Sequence, residues 1–262
     1  MNEAVAELRW VLRDCLLVTG RNTRHFVRQP QLVLFSTIQP VMFIILFSAV
    51  FGGAVGGSLP EGVSYVSFLL PGILIQSSAF RASQTAVGLA EDMKQGVVDR
   101  LRSMPMSRAA VLVGRTAADL VRTVFVVGLM IAVGYLMGFR FTQGVPAAVG
   151  AVAVVCLFSL ALSWIFAFVG LVTDGAETAQ SAGFVVIFPL AFASSAFVPI
   201  ETMPGWLEGF ASVNPVTLAV DAARALSLGG DVVGPLLGFL AWVAAILAVF
   251  VPLCVWRFRR MA

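Results

Sequence analysis

The residue types that do covalent or proton-transfer chemistry are nearly absent from this sequence. His25 is the one histidine and Lys94 the one lysine in 262 residues. A hydrolytic triad or a histidine-based metal centre therefore has almost nothing to build on, and His25, set among arginines, reads as an interfacial side chain. Lys94 is followed by Gln95, where a phosphate-cradling P-loop needs Gly-Lys-Ser/Thr, and no G-x-S-x-G elbow occurs. Cys15, Cys156 and Cys254 are too scattered for a disulfide framework or a metal site. The expectation is a non-enzyme with no catalytic residue, no metal and no cofactor of its own. Such a chain moves or anchors something. If it pumps, the energy comes from a partner or an ion gradient.

Three ionisable residues in otherwise apolar stretches, Arg81, Asp119 and Arg122, carry the next signal. At such depth a charge costs about 2.5–3.5 kcal/mol on insertion scales, so each is expected to have a partner. Arg81 lies eleven residues before Asp92, and Asp119 eleven after Arg108. In an antiparallel hairpin both would sit about 16 Å from the ends at 1.5 Å per residue. This predicts an Arg81–Asp119 pair, with Arg115, one turn before Asp119, as the competing cation. The pair could fix helix register or serve transport; the pattern leaves both open.

Two further segments have unusual composition. Residues 89–104 place Ala90, Met93, Val97 and Leu101 in an apolar stripe at helical spacing. Glu91, Asp92, Lys94, Asp99, Arg100 and Arg102 occupy the other faces, Gly96 falls inside, and Pro105 ends the pattern. Either this is a short helix that docks in a partner's groove, or a solvated loop rich in charge. Residues 197–231 are too apolar for a free loop, yet Pro199, Pro204, Pro215 and Asp221 prevent one long span. Two short half-inserted helices are expected there, with Trp206 and Phe210 at the interface. Asp221 and Arg224, three residues apart, can pair on the second. Pro199, Glu201, Trp206, Asn214, Pro215, Asp221 and Arg224 then line either a gate or a plug that fills space.

These side chains must be held by helices in a membrane. Only 12% of residues are charged, against 59% AVILMFWYC, and a soluble domain carries about twice that charge. The charges bound six uncharged runs, 29–60, 62–80, 123–139, 141–173, 178–200 and 232–256. Each reaches or approaches the roughly 20 residues that cross 30 Å of hydrocarbon. Six transmembrane helices are expected near 32–52, 63–87, 110–138, 146–172, 178–198 and 234–256. Strand-like alternation is absent, which disfavours a barrel. Gly134 and Gly138 form one G-x-x-x-G, a weak packing signal. Twelve basic residues fall in the N-terminal segment, the link after the second span and the C-terminal tail, against Arg140 and Arg224 on the other side. Both termini are thus expected in the cytoplasm, and the first span, lacking a cleavage site, should remain as an anchor. Residues 3–28 carry Val5, Leu8, Leu12, Cys15 and Thr19 at three- and four-residue steps. That is the pattern of a helix lying in the cytoplasmic interface, its arginines on lipid phosphates. The net charge of +3 reflects these arginines and implies no nucleic-acid partner.

Several of these segments, in this order, resemble the permease subunits of ABC-2 type exporters, in particular the bacterial daunorubicin-resistance group. The resemblance covers nearly the whole chain, 1–262, as a single transmembrane domain. It rests on Phe68-Leu-Leu-Pro-Gly72, on Gly88-Leu-Ala-Glu-Asp92 with Gly96 and Asp99-Arg-Leu-Arg102, and on Met104-Pro-Met-Ser-Arg108. Further matches are Gly114-Arg115 with Asp119, Phe197-Val-Pro, Met203-Pro-Gly-Trp206 and Asn214-Pro215. The resemblance implies an all-α, six-span permease of the bacterial inner membrane that pairs with a second permease copy. It also implies two cytoplasmic ATPase subunits, which would bind the ATP and Mg. In that family the helix after the second span is the coupling helix, here about 89–104, and the re-entrant helices correspond to 199–228. A hydrophobic or amphipathic drug-like or lipid-like cargo suits walls with so little charge. The rivals are export of a polysaccharide or glycolipid by the same architecture, a carrier driven by an ion gradient, and a non-transporting anchor.

Overall fold

The computed structural model describes residues 19–20, 30–55, 59, 63–96 and 108–260. Among them there are eight α-helices and no strand. These are α1 (Pro30–Val55), α2 (Tyr65–Lys94), α3 (Arg108–Leu136), α4 (Gly144–Val172), α5 (Ala176–Phe192), α6 (Gly205–Val213), α7 (Pro215–Leu228) and α8 (Val233–Arg260). A 3-10 turn, Ile200–Thr202, precedes α6.

Among the described residues, three stretches are long and apolar enough to cross a membrane: Val113–Leu136, Gly144–Val172 and Val233–Phe258. Ile38–Gly53 in α1 and Ala176–Phe192 in α5 are apolar but shorter. α2 is long enough, yet carries the polar and charged residues Gln76, Arg81, Thr85 and Asp92. Those residues mark it as a core helix. Eighteen of its thirty residues are buried, and it packs against α1, α3, α4, α5 and α7. It starts at Ser64, whose hydroxyl accepts from the Ser67 amide, 3.2 Å, the cap expected of a serine there.

Small residues let the neighbours approach α2. A Cβ on Gly170 of α4 would fall 2.7 Å from the Ala86 carbonyl oxygen, and one on Gly72 would land on the Ala196 carbonyl. Gly134 of α3 sits against Leu70, whereas Gly138, at φ 97°, ends α3. Only the first glycine of the G-x-x-x-G is therefore a packing contact.

The helices run up and down between two ends. The Lys94 end gathers the close of α2 and α4 and the tail of α8, where Leu89, Trp164, Leu171, Cys254 and Phe258 form their own apolar cluster. The Trp206 end gathers the start of α2, the α3–α4 link and the short helices α6 and α7. There the Thr142 amide donates to the Ser227 carbonyl and Tyr65 Oη to the Phe197 carbonyl.

The expected break between a second span ending at 87 and a separate helix over 89–104 is corrected. Residues 89–94 continue α2 without interruption. Gly96 is no mid-helix glycine; it has φ 68° and its amide donates to the Met93 carbonyl, 3.1 Å. That left-handed position just past the last turn is the usual helix-ending role of glycine. Asp99, Arg100 and Arg102 lie outside the described residues, as does most of the interfacial helix expected over 3–28. Its described part, Thr19 and Gly20, is helical, and Thr19 Oγ1 donates to the Gly114 carbonyl of α3, 3.1 Å.

Candidate functional site

Polar and charged residues collect at three heights of the bundle. At the Lys94 end, Arg115 Nη1 of α3 donates to Asp92 Oδ2 of α2. The guanidinium reaches across because residue 88 is glycine: a Cβ there would fall on Arg115 Nη2. Asp92, expected on a docking surface, is thus tied into the bundle. Glu91 and Lys94 remain exposed beside it.

Mid-height holds the residues expected to pair. Asp119 Oδ2 accepts from Thr85 Oγ1, 2.8 Å, and Asp119 Oδ1 lies 4.0 Å from Arg122 Nη1. Arg81 is not its partner. Arg81 Nη2 donates to Ser78 Oγ one turn earlier on α2, 2.8 Å, while its Nε and Nη1 are buried without a hydrogen-bond partner. The reason is register. Thr85 opposite Asp119, Gly88 under Arg115 and Leu70 against Gly134 fix how α2 and α3 slide past each other. In that register Arg81 lies one turn further from the Lys94 end than Asp119. Counting inward from Asp92 and Arg108 assumed that both helices end at one depth. Arg115, the expected competitor, is taken by Asp92.

The third cluster, at the Trp206 end, is saturated with bonds. Asp221 and Arg224 of α7 pair as expected, Nη1 to Oδ1 at 2.9 Å. Arg224 Nη2 also donates to the Ser195 carbonyl, 2.9 Å, and Nε to the Phe68 carbonyl, 3.2 Å. Its guanidinium stacks 3.7 Å over the Phe68 ring. Asp221 Oδ1 accepts from Ser195 Oγ as well, 2.7 Å. Asn214, 2% exposed, caps α7 through the Val216 amide and donates from Nδ2 to the Leu190 and Ala193 carbonyls at the end of α5. Pro215 follows as the first helical residue, where a missing N–H costs nothing. The expected pair of short helices is therefore present as α6 and α7, joined at Asn214. Trp206, Phe210 and Val213 leave the outer face of α6 apolar and exposed, and Glu201 is exposed beside Pro199.

One feature was not anticipated from the sequence. Phenylalanine rings form a continuous ladder over α2, α5 and α1. From Phe80 it passes through Phe184, Phe188, Phe192 and Phe197 to Phe47 and Phe51, with centroid separations between 4.5 and 6.2 Å. Phe184, Phe188 and Phe192 recur every four residues, which stacks them on one side of α5, and all three stay exposed. A cavity among Pro71, Leu74, Phe139 and Val155 has a volume of about 10 Å³, room for one water, and is no chamber for cargo.

The sequence pattern of the ABC-2 type transporter family matches residues 13–228, a range that contains all three clusters. This chain belongs to the ABC-2 type transporter family. It is 34% identical to the daunorubicin resistance ABC transporter permease protein DrrB1 of Streptomyces coeruleorubidus, over 90% of this chain and 81% of that protein. Against the probable doxorubicin resistance permease DrrC of Mycobacterium tuberculosis the identity is 30%, over 94% and 89% of the two chains. The putative transport permease ycf38 of Pyropia yezoensis is 29% identical over 76% of this chain. This ABC-2 chain is an integral membrane protein. Two stretches that carried the resemblance have physical roles here. Gly72 receives the 195–197 turn, Phe68 holds the Arg224 guanidinium, and Gly88 makes room for Arg115.

Proposed function

We propose that the chain is the membrane-spanning subunit of an ATP-driven exporter for hydrophobic or amphipathic, drug-like or lipid-like molecules. What carries this reading is family membership together with 34% identity to a daunorubicin resistance permease over most of both chains. The exposed phenylalanine ladder supports an apolar or aromatic cargo, since ring faces attract other rings by about 0.5–1.5 kcal/mol per pair beyond area burial. The working unit is two permease copies with two ATPase subunits, which bind ATP and Mg; this chain hydrolyses nothing itself.

In this reading α1, α2 and α5 complete six spans with α3, α4 and α8, and both termini face the cytoplasm of a bacterial cell, in its inner membrane. Arg140, a basic residue placed on the opposite side, is used in closing a helix: its Nη1 donates to the Tyr135 and Phe139 carbonyls at the end of α3. The exposed Glu91 and Lys94 belong to the surface on which an ATPase pushes, and Asp99, Arg100 and Arg102, next in sequence, are assigned to the same coupling role. Rigid-body motion of the permease copies then switches access from one side to the other, and the short helices over 199–228 form the outer gate.

The test is a co-purified permease–ATPase complex in proteoliposomes. ATP should drive accumulation of a fluorescent anthracycline, and charge removal at Glu91, Arg100 and Arg102 together should abolish cargo-stimulated ATP hydrolysis. Equal transport by the permease without any ATPase would overturn the reading in favour of a gradient-driven carrier. Stimulation by a polysaccharide or glycolipid, and not by the anthracycline, would replace the cargo class.

A further inference from the structure

Among the described residues, Arg81 is a cation without an anion. It lies 16 residues after Tyr65 and 13 before Lys94, so it stands near the middle of α2. Arg122 is 14 residues from either end of α3. At 1.5 Å per residue both are about 20 Å from the ends of the bundle. Arg122 is close enough to repel Arg81, and Cys156 of α4 is its other electrostatic neighbour. Among the described residues of these two helices, Asp119 is engaged by Thr85 and Arg122, Asp92 by Arg115, and Glu91 is exposed at the Lys94 end. Arg81 has one hydrogen bond, to Ser78, and two buried nitrogens with none.

A guanidinium stays charged at neutral pH and offers five N–H donors in a fork that matches an oxyanion. Leaving it unmatched in a low-dielectric interior is costly, and adding a second cation beside it more so. The cost at Arg81 falls when an anion sits against its two unmatched nitrogens; Arg122, already beside Asp119, adds a second positive charge nearby. Access is lateral: the Arg122 side chain is 27% exposed, and its surface neighbours are Val121 and Phe125, both open to the outside of the bundle. A hydrated inorganic ion would have to shed its water to reach that depth between apolar side chains. An acid group attached to an apolar body arrives with its solvation already matched to the route.

We infer that Arg81, with Arg122 beside it, forms a binding site for the oxyanion of an acidic amphiphile, a carboxylate or phosphate carried on an apolar body. The inference rests on the exporter reading only for the role of that amphiphile as cargo.

The full chain in phosphatidylcholine nanodiscs tests it, with the fluorescent fatty acid cis-parinaric acid and its methyl ester as probes. The acid should bind saturably and at least about tenfold more tightly than the ester, the size expected for one charge-assisted pair. Arg81→Gln should erase that preference while leaving ester affinity unchanged, and Arg81→Lys should restore part of it. Millimolar inorganic phosphate should not displace the acid, whereas a lysophosphatidic acid should. Equal affinity of acid and ester for the unaltered chain overturns the site, as does a preference that survives Arg81→Gln. Displacement by inorganic phosphate overturns the amphiphile. Should Arg81→Gln fail to fold, the comparison in the unaltered chain and in Arg81→Lys decides. The assay holds no ATPase and no nucleotide, so it can succeed where ATP-driven export fails and fail where export succeeds.

Discussion

Arg224 and Arg81 are the same side chain in the same bundle, and the fold treats them in opposite ways. Arg224 spends all three nitrogens, on Asp221, the Ser195 carbonyl and the Phe68 carbonyl, and stacks on an aromatic ring. Arg81 uses one nitrogen, on a serine of its own helix. The first arrangement joins α7, the 195–197 turn and the start of α2 into one piece. The second joins nothing and stays receptive. Burial of a charge is thus no guide to its role; the guide is whether its donors are already committed.

That contrast can be broken by mutation. Arg224→Met should cost the most, about 3 kcal/mol, because the half-buried Asp221 is left without its cation and the Ser195 and Phe68 carbonyls without their donor; denaturant titration in mixed micelles measures it. If Arg224→Met costs less than the matching change at Arg81, the contrast fails. Asn214→Ala comes next at about 2–3 kcal/mol, since the α7 cap and two bonds to α5 vanish together, and the same titration applies. Gly72→Ala should cost about 1–3 kcal/mol by forcing the 195–197 turn off α2, with protease cleavage near residue 199 rising in parallel. Thr85→Val should cost about 1 kcal/mol, the loss of one hydrogen bond to a carboxylate that keeps Arg122 nearby. Arg81→Met should cost nothing or raise stability by up to about 1 kcal/mol, as expected when an unmatched buried charge is replaced by an apolar side chain of similar length. A large loss at Arg81 would show it to be a fastener after all.

Much of this was legible in the sequence. The uncharged runs marked the long helices because a chain with 12% charge can place its few charges only where water or a partner meets them. Asp221–Arg224 was legible because a three-residue step on one helix depends on nothing outside it. The Arg81–Asp119 expectation failed for the opposite reason. It compared positions on two helices, and a one-turn offset in where they end moved Thr85 into the place assigned to Arg81. Gly96 had two readings, interior or terminal, and only the backbone angle separates them. The four-residue spacing of Phe184, Phe188 and Phe192 was available, but in so apolar a chain it carried no contrast with its surroundings. The bonds from Asn214 to α5 and from Arg224 to Phe68 join residues 21 to 156 positions apart, and no local pattern announces them.

The unbroken course of α2 has a mechanical consequence. Thirty residues at 1.5 Å each make a rod of about 45 Å. Its stiffest stretch lies between Lys94 and Pro71, where the proline removes a rung of the ladder and softens the rod. A lever of that form does not dissipate a push at the Lys94 end within its own length. In the proposed exporter, a push there would reach the joint at Pro71, about 35 Å away, where Gly72, Phe68 and the turn held by Arg224 meet.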